Sequence, residues 1–204
     1  MKRKNLLISF LLIGALSMMI MSFRYFVEDN AGILNGKVIK EQLWYKITFL
    51  IHIAMGILAI ATGPIQFIDP ILRRAPWLHK IIGYGYSLGV LLSGCSGLII
   101  AQYAMGGIIT SVGFSSLAII WLGSLFMALK NILQGKVAAH KAWMTINYAL
   151  TFSSITQRTI LLFAFIPSFS FIVVYQISAW LCWLFNIGVA CYIISRDQPW
   201  MQKV

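Results

Sequence analysis

Charge is what this chain has least of. Only 10% of its 204 residues are Asp, Glu, Lys or Arg, against about 25% in a soluble globular domain. Acids are scarcest, five against sixteen Lys and Arg. Glu28, Asp29, Glu41, Asp69 and Asp197 all lie outside the long apolar runs. There is no glycine-rich nucleotide loop, no hydrolytic triad and no zinc spacing, so no motif-based enzyme reading arises. The three cysteines, Cys95, Cys182 and Cys191, sit inside apolar runs without a C-x-x-C pair. They read as small buried hydrophobes and carry no signal of redox compartment.

What is abundant is apolar surface. Hydrophobic residues make up 60% of the chain and the mean hydropathy is +0.85, a membrane composition. The expected fold class is all-α: a polytopic transmembrane helical bundle of six spans in one integral membrane domain over residues 1–204. The spans are expected at about 5–23, 46–67, 81–102, 111–129, 141–165 and 171–194, with spans two to five as the core. The opening Met1-Lys2-Arg3-Lys4 resembles a signal peptide. The run behind it is longer, however, and lacks a small-residue cleavage site, so a retained first span is expected. The connection from Arg24 to Tyr45 is the longest. It holds the turn dipeptide Asn35-Gly36 and a mixed segment, 37–45, expected as an interfacial helix. Gly63-Pro64 should kink or end the second span. The third span is rich in small residues (Gly83, Gly85, Gly89, Ser93, Gly97), which permit close helix packing or admit a flat ligand.

A net charge of +11 in a soluble protein would suggest nucleic acid. Here topology accounts for it. Eleven cations (at 2–4, 73, 74, 80, 130, 136, 141, 196 and 203) fall on one side of a six-span arrangement, and four (Arg24, Lys37, Lys40, Lys46) on the other. The positive-inside rule makes the first side cytoplasmic, with both termini there. The expected location is the bacterial cytoplasmic (inner) membrane, with the lipid bilayer as partner and no nucleic acid. Trp44, Tyr45, Trp77, Tyr103, Trp143 and Trp200 fall near span ends, as an aromatic belt does.

The fifth span, from His140 to Phe165, carries the strongest pattern. His140, Met144, Asn147, Thr151, Ser154 and Arg158 recur at steps of three and four. At about 100° per residue they fall within about 40° of one line. Such a stripe must face protein or a cavity. His79 and His140 begin the third and fifth spans, and each is followed by Lys, a weak internal repeat. They form an inner layer of polar groups. His52, about 9 Å into the second span, and Arg158 form an outer one. Arg158 calls for snorkelling, a loop acid or an anionic ligand, because a charge in hydrocarbon costs about 2.5–3.5 kcal/mol.

His52 with Gly56, Gly63-Pro64-Ile65-Gln66-Phe67, Arg73, Pro76, His79-Lys80, Gly83, Tyr86, His140-Lys141, Trp143-Met144 and Arg158 carry a resemblance. With them the chain resembles the bacterial membrane family called domain of unknown function 2306. That implies a multi-span inner-membrane protein and supplies no activity. More loosely, the chain is similar to cytochrome b561-like bundles, in which histidines on neighbouring helices clamp haem b. That similarity implies His79 and His140 as metal-ligating axial residues of one haem b. His52, Arg158 and Asn147 would line the interior and serve propionates, a quinone or proton movement. The competing readings are a transporter or binding protein holding a small anionic ligand on Arg158, and a structural membrane subunit.

Overall fold

The protein is described here as a computed structural model covering residues 2–28 and 38–197. Among these residues there are α-helices and short 3-10 turns and no strand. The helices are α1 (Lys2–Val27), α2 (Leu43–Thr62), α3 (Asp69–Arg74), α4 (Pro76–Ala101), α5 (Ile108–Leu133), α6 (Val137–Leu161) and α7 (Phe171–Asp197). The turn at Asn35-Gly36 and the tail beyond Asp197 lie outside the described residues. The expected interfacial helix is a 3-10 turn, Val38–Glu41, leading into α2.

Five helical segments are long and apolar enough to cross a membrane: Leu6–Val27, Leu43–Phe67, Pro76–Ala101, Ile108–Leu133 and Phe171–Arg196. They overrun the expected spans because hydropathy marks the hydrocarbon-facing part alone, while helices continue through His79, Lys80 and Lys130 into the interface. α6 corresponds to the expected fifth span. Its 25 residues are long enough, but its polar residues keep it out of the apolar set. It packs against both α5 and α7, which also touch each other.

Local chemistry sets the ends. α2 stops at Gly63, where Pro64 has no N–H to continue the ladder, and a 3-10 turn, Pro64–Phe67, follows. α4 starts on Pro76 as its first residue, a position where the missing N–H costs nothing. Gly107 (φ +71°) precedes α5 and Gly135 (φ +71°) turns α5 into α6. Left-handed backbone of this kind is cheap only for glycine. Hydroxyls within the helices bond the preceding turn: Ser87 Oγ to Gly83 O at 2.8 Å, Thr145 Oγ1 to Lys141 O at 2.9 Å, Thr159 Oγ1 to Ile155 O at 3.1 Å. This removes the cost of placing them in hydrocarbon.

The helices group into two compact units, residues 1–103 and 104–204. In the first, α2 and α4 run antiparallel along one seam and α1 packs on α2. Tyr45, Phe49 and Ile53 form its core with Tyr25, Ile39, Ile57 and Ile100. Tyr45 is therefore a core residue and not part of the aromatic belt; its ring stacks on Phe49 at 6.3 Å. Trp44 and Tyr103, both exposed, meet edge-to-face at 5.6 Å, and fit the belt. In the second unit α6 is held by α5 and α7. Here Gly113 is the close-approach point: a Cβ there would lie 3.0 Å from both Ala179 O and Trp180 Nε1.

In every one of the five apolar segments, less than half of the most apolar stretch is buried inside the protein. The remainder, such as Ile13, Ile119 and Phe185, are exposed apolar side chains that a bilayer would cover. This corrects the cysteine expectation. Cys182 is buried, but Cys95 and Cys191 are exposed. A thiol on a lipid-facing surface is as cheap as one in a core. Lipid-permeant maleimide is expected to label Cys95 and Cys191 in the folded protein, and Cys182 after denaturation. Labelling of Cys182 in the single-thiol native protein would refute the packing of α7.

Candidate functional site

In the first unit two imidazoles are anchored at separate points of the α2–α4 pair. His52 sits midway along α2. Its Nδ1 is 2.8 Å from Ser93 O and 3.1 Å from Ser93 Oγ, and Ser93 Oγ donates to the His52 carbonyl at 2.9 Å. A carbonyl oxygen only accepts, so Nδ1 carries the proton and the lone pair is on Nε2. The ring lies on Gly97, where a Cβ would stand 3.2 Å from it, and a Cβ on Gly56 would stand 3.3 Å from Ser93 Oγ. The small-residue faces of α2 and α4 are thus used on each other. Ser93 is the partner of His52 that sequence reading did not supply.

His79 is in the first turn of α4, 14 residues from Ser93 and so about 21 Å along the helix. Its neighbour is Gln66, in the 3-10 turn after α2. With the amide turned to satisfy both ends, Gln66 Nε2 donates to His79 Nδ1 at 2.8 Å and approaches His79 O at 3.3 Å, and its oxygen accepts from Gly83 N at 3.1 Å. An amide nitrogen only donates, so here Nδ1 accepts and the proton is on Nε2. His79 therefore has the tautomer opposite to that of His52.

In the second unit His140 is in the first turn of α6, half-buried, with Nδ1 2.9 Å from Ala128 O near the end of α5. Nδ1 again donates, leaving the lone pair on Nε2. Seven residues on, Asn147 is fully buried. Its Nδ2 donates to Trp121 O at 2.8 Å and Ser124 Oγ at 2.7 Å. Trp121 Nε1 donates to Thr151 Oγ1 at 2.9 Å, and Thr151 Oγ1 donates to Asn147 O at 3.0 Å. At Asn147 and Thr151 the hydrophilic edge of α6 faces α5, as the periodicity predicts. On the α7 side, Asn186 Nδ2 donates to Ala149 O at 2.9 Å and to Ser153 Oγ at 3.3 Å, and Thr156 Oγ1 donates to Asn186 Oδ1 at 3.0 Å. Sequence reading missed Trp121, Ser124 and Asn186. The amide at 186, deep in an apolar run, was the available signal.

Arg158 is partly buried and donates from one terminal nitrogen to Ser154 O of its own helix at 2.9 Å. It stands 18 residues, about 27 Å, from His140 along α6. Among the described residues no three His, Cys, Asp or Glu side chains gather as a metal site. A haem needs only an axial imidazole with its lone pair on the iron side. The tautomer of His140 fits that role. His79, as Gln66 holds it, does not. His52 has the fitting tautomer, with its ring packed in the seam.

The two units repeat one device. The third expected span (α4) and the fifth (α6) each have His-Lys in the first turns, and each imidazole is met at Nδ1 by the end of the preceding span or the turn after it. Seven residues later comes a fully buried polar side chain, Tyr86 or Asn147.

No curated protein and no solved structure matches the chain. The family model described as predicted membrane protein, DUF2306, matches residues 49–194. That span takes in all three anchored histidines, the Gly63-Pro64 break and the α6 stripe. The chain accordingly belongs to the DUF2306 family of multi-pass membrane proteins.

Proposed function

We propose that this membrane protein binds a b-type haem with His140 as an axial ligand and takes part in electron transfer in the bilayer. One observation carries the reading: the 2.9 Å contact from His140 Nδ1 to Ala128 O. A metal-ligating histidine commonly gives its other N–H to a carbonyl, which fixes the tautomer and orients the ring. Haem bound there supplies one-electron chemistry. The chain's own contribution is orientation of the imidazole and charge. Lys136 and Lys141, both exposed beside His140, suit propionates. Arg158 lies too far along α6 to serve the same porphyrin. The stripe between them is engaged in helix–helix hydrogen bonds, which favours support over a conduit. The distribution of cations supports a cytoplasmic position for the His140 end, in a bacterial inner membrane.

The test is the absorption spectrum of the full chain purified from a haem-replete host. A Soret band is expected in the wild type. In a folded His140→Ala variant it falls at least tenfold. A colourless wild-type protein overturns the reading. If an added anion then raised thermal stability, and Arg158→Gln abolished the rise, the small-molecule binding or transport class would take its place.

A further inference from the structure

We propose that Gln66 is a positioning residue that holds His79 with its proton on Nε2, making that nitrogen a hydrogen-bond donor and withholding the lone pair a metal would need. The inference goes beyond the haem reading and stands whether or not haem is bound.

It rests on three contacts made by one amide. Gln66 Nε2 reaches His79 Nδ1 at 2.8 Å and His79 O at 3.3 Å, and the amide oxygen takes the Gly83 N–H at 3.1 Å. The opposite orientation sets oxygen against the His79 carbonyl and N–H against the Gly83 N–H, two like-with-like contacts. Of the orientations of this amide, one satisfies donors and acceptors together. The chain builds the contact locally. Gly63 and Pro64 end α2 and start the 3-10 turn, which brings position 66 back onto the first turns of α4. The amide lies directly over Gly83, where a Cβ would stand in ordinary contact with it at 3.6 Å. The other two histidines make the comparison. Their Nδ1 atoms face backbone carbonyls, which cannot donate. Only at His79 is the partner an amide that can turn, and the donating orientation is the one that satisfies its backbone contacts. The bis-histidine expectation from the b561-like similarity required His79 to present a lone pair at Nε2, and Gln66 opposes it.

The sequence setting agrees with a donor role. Arg73 and Arg74 end α3 and Lys80 follows His79, all three exposed. A donor nitrogen among cations suits an oxygen acceptor.

The experiment is nitrogen NMR of the full chain labelled with 15N-histidine, in micelles, with His79 assigned by its loss in His79→Ala. Long-range correlations show which ring nitrogen carries the proton. In the wild type His79 is expected to be protonated on Nε2, and His52 and His140 on Nδ1. In Gln66→Glu, whose carboxylate only accepts, Nδ1 of His79 becomes protonated. In Gln66→Met the single tautomer gives way to a mixture. Wild-type His79 protonated on Nδ1 overturns the proposal, as does a tautomer unchanged by folded Gln66 variants. If those variants do not fold, the wild-type spectrum alone decides. Where the protein is coloured, His79→Ala keeps its Soret band, and loss of the band in a folded His79→Ala also overturns the proposal. A colourless protein removes the haem reading and leaves the tautomer measurement intact.

Discussion

Replacing Gly89 by valine is expected to lower unfolding free energy in micelles by about 2–3 kcal/mol, the upper part of the range for overpacking a filled interface. A Cβ at this position would stand 2.8 Å from Met55 O, 3.0 Å from Ala59 N and 3.2 Å from Ala59 Cβ. Two of those atoms are backbone, so no rotamer can relieve them. The helices α2 and α4 must move apart, and the bonds that cross the seam go with them, His52 Nδ1 to Ser93 O at 2.8 Å foremost. In a bilayer the seam has little hydrophobic drive to compensate, because lipid tails are as apolar as the partner helix. Neighbouring glycines give the internal scale. Gly56→Ala meets only Ser93 Oγ at 3.3 Å, a side chain that can turn, and should cost much less. Gly85 has nothing within 4 Å, so Gly85→Ala should be neutral or mildly stabilising, since glycine is the weaker helix former. Reversible unfolding of the three variants by denaturing detergent reads the order. A Gly89→Val protein as stable as Gly85→Ala would mean that α2 and α4 do not approach this closely.

The seam also shows where sequence reading stops. That the chain is a helical membrane protein follows from its hydropathy. That α6 turns its polar edge inward follows from the 3.6-residue period of His140, Asn147, Thr151 and Arg158. The break at Gly63-Pro64 follows from the missing proline N–H. These are local properties of the chain. Which helix pairs with which is another matter, because lipid and protein core are both apolar and hydropathy cannot tell them apart. Hence Tyr45 reads as belt and is core, and Cys95 reads as core and faces outward. The grouping into residues 1–103 and 104–204 depends on seams that periodicity does not rank. The candidate site divides in the same way. The three histidines were visible as the only imidazoles at span positions. Their tautomers were not, since these are set by partners 12 to 41 residues away: Ala128 for His140, Gln66 for His79 and Ser93 for His52.

Asn147→Leu separates a structural stripe from a conduit. The two residues have similar volume, so the substitution changes hydrogen bonding with little change in packing. Asn147 is wholly buried and donates to Trp121 O at 2.8 Å and to Ser124 Oγ at 2.7 Å. Interhelical polar contacts in membranes average about 0.6 kcal/mol and reach about 1.7 kcal/mol. Two such bonds, with Trp121 O partly retained by the 2.9 Å bond from Ser124 Oγ, put the expected loss at about 1–3 kcal/mol. The Trp121 indole still reaches Thr151 at 2.9 Å, so α5 and α6 should stay paired in the folded state. A double-mutant cycle with Ser124→Ala isolates the side-chain pair. A coupling of about 0.5 kcal/mol or more is expected, because the two groups touch. If Asn147 instead lined a water-filled path, leucine would leave stability unchanged or raise it, and the coupling with Ser124 would vanish. The stripe was the clearest polar pattern in the sequence. The hydrogen bonds of Asn147 and Thr151 link α6 to α5, and this cycle measures whether they hold the second unit together.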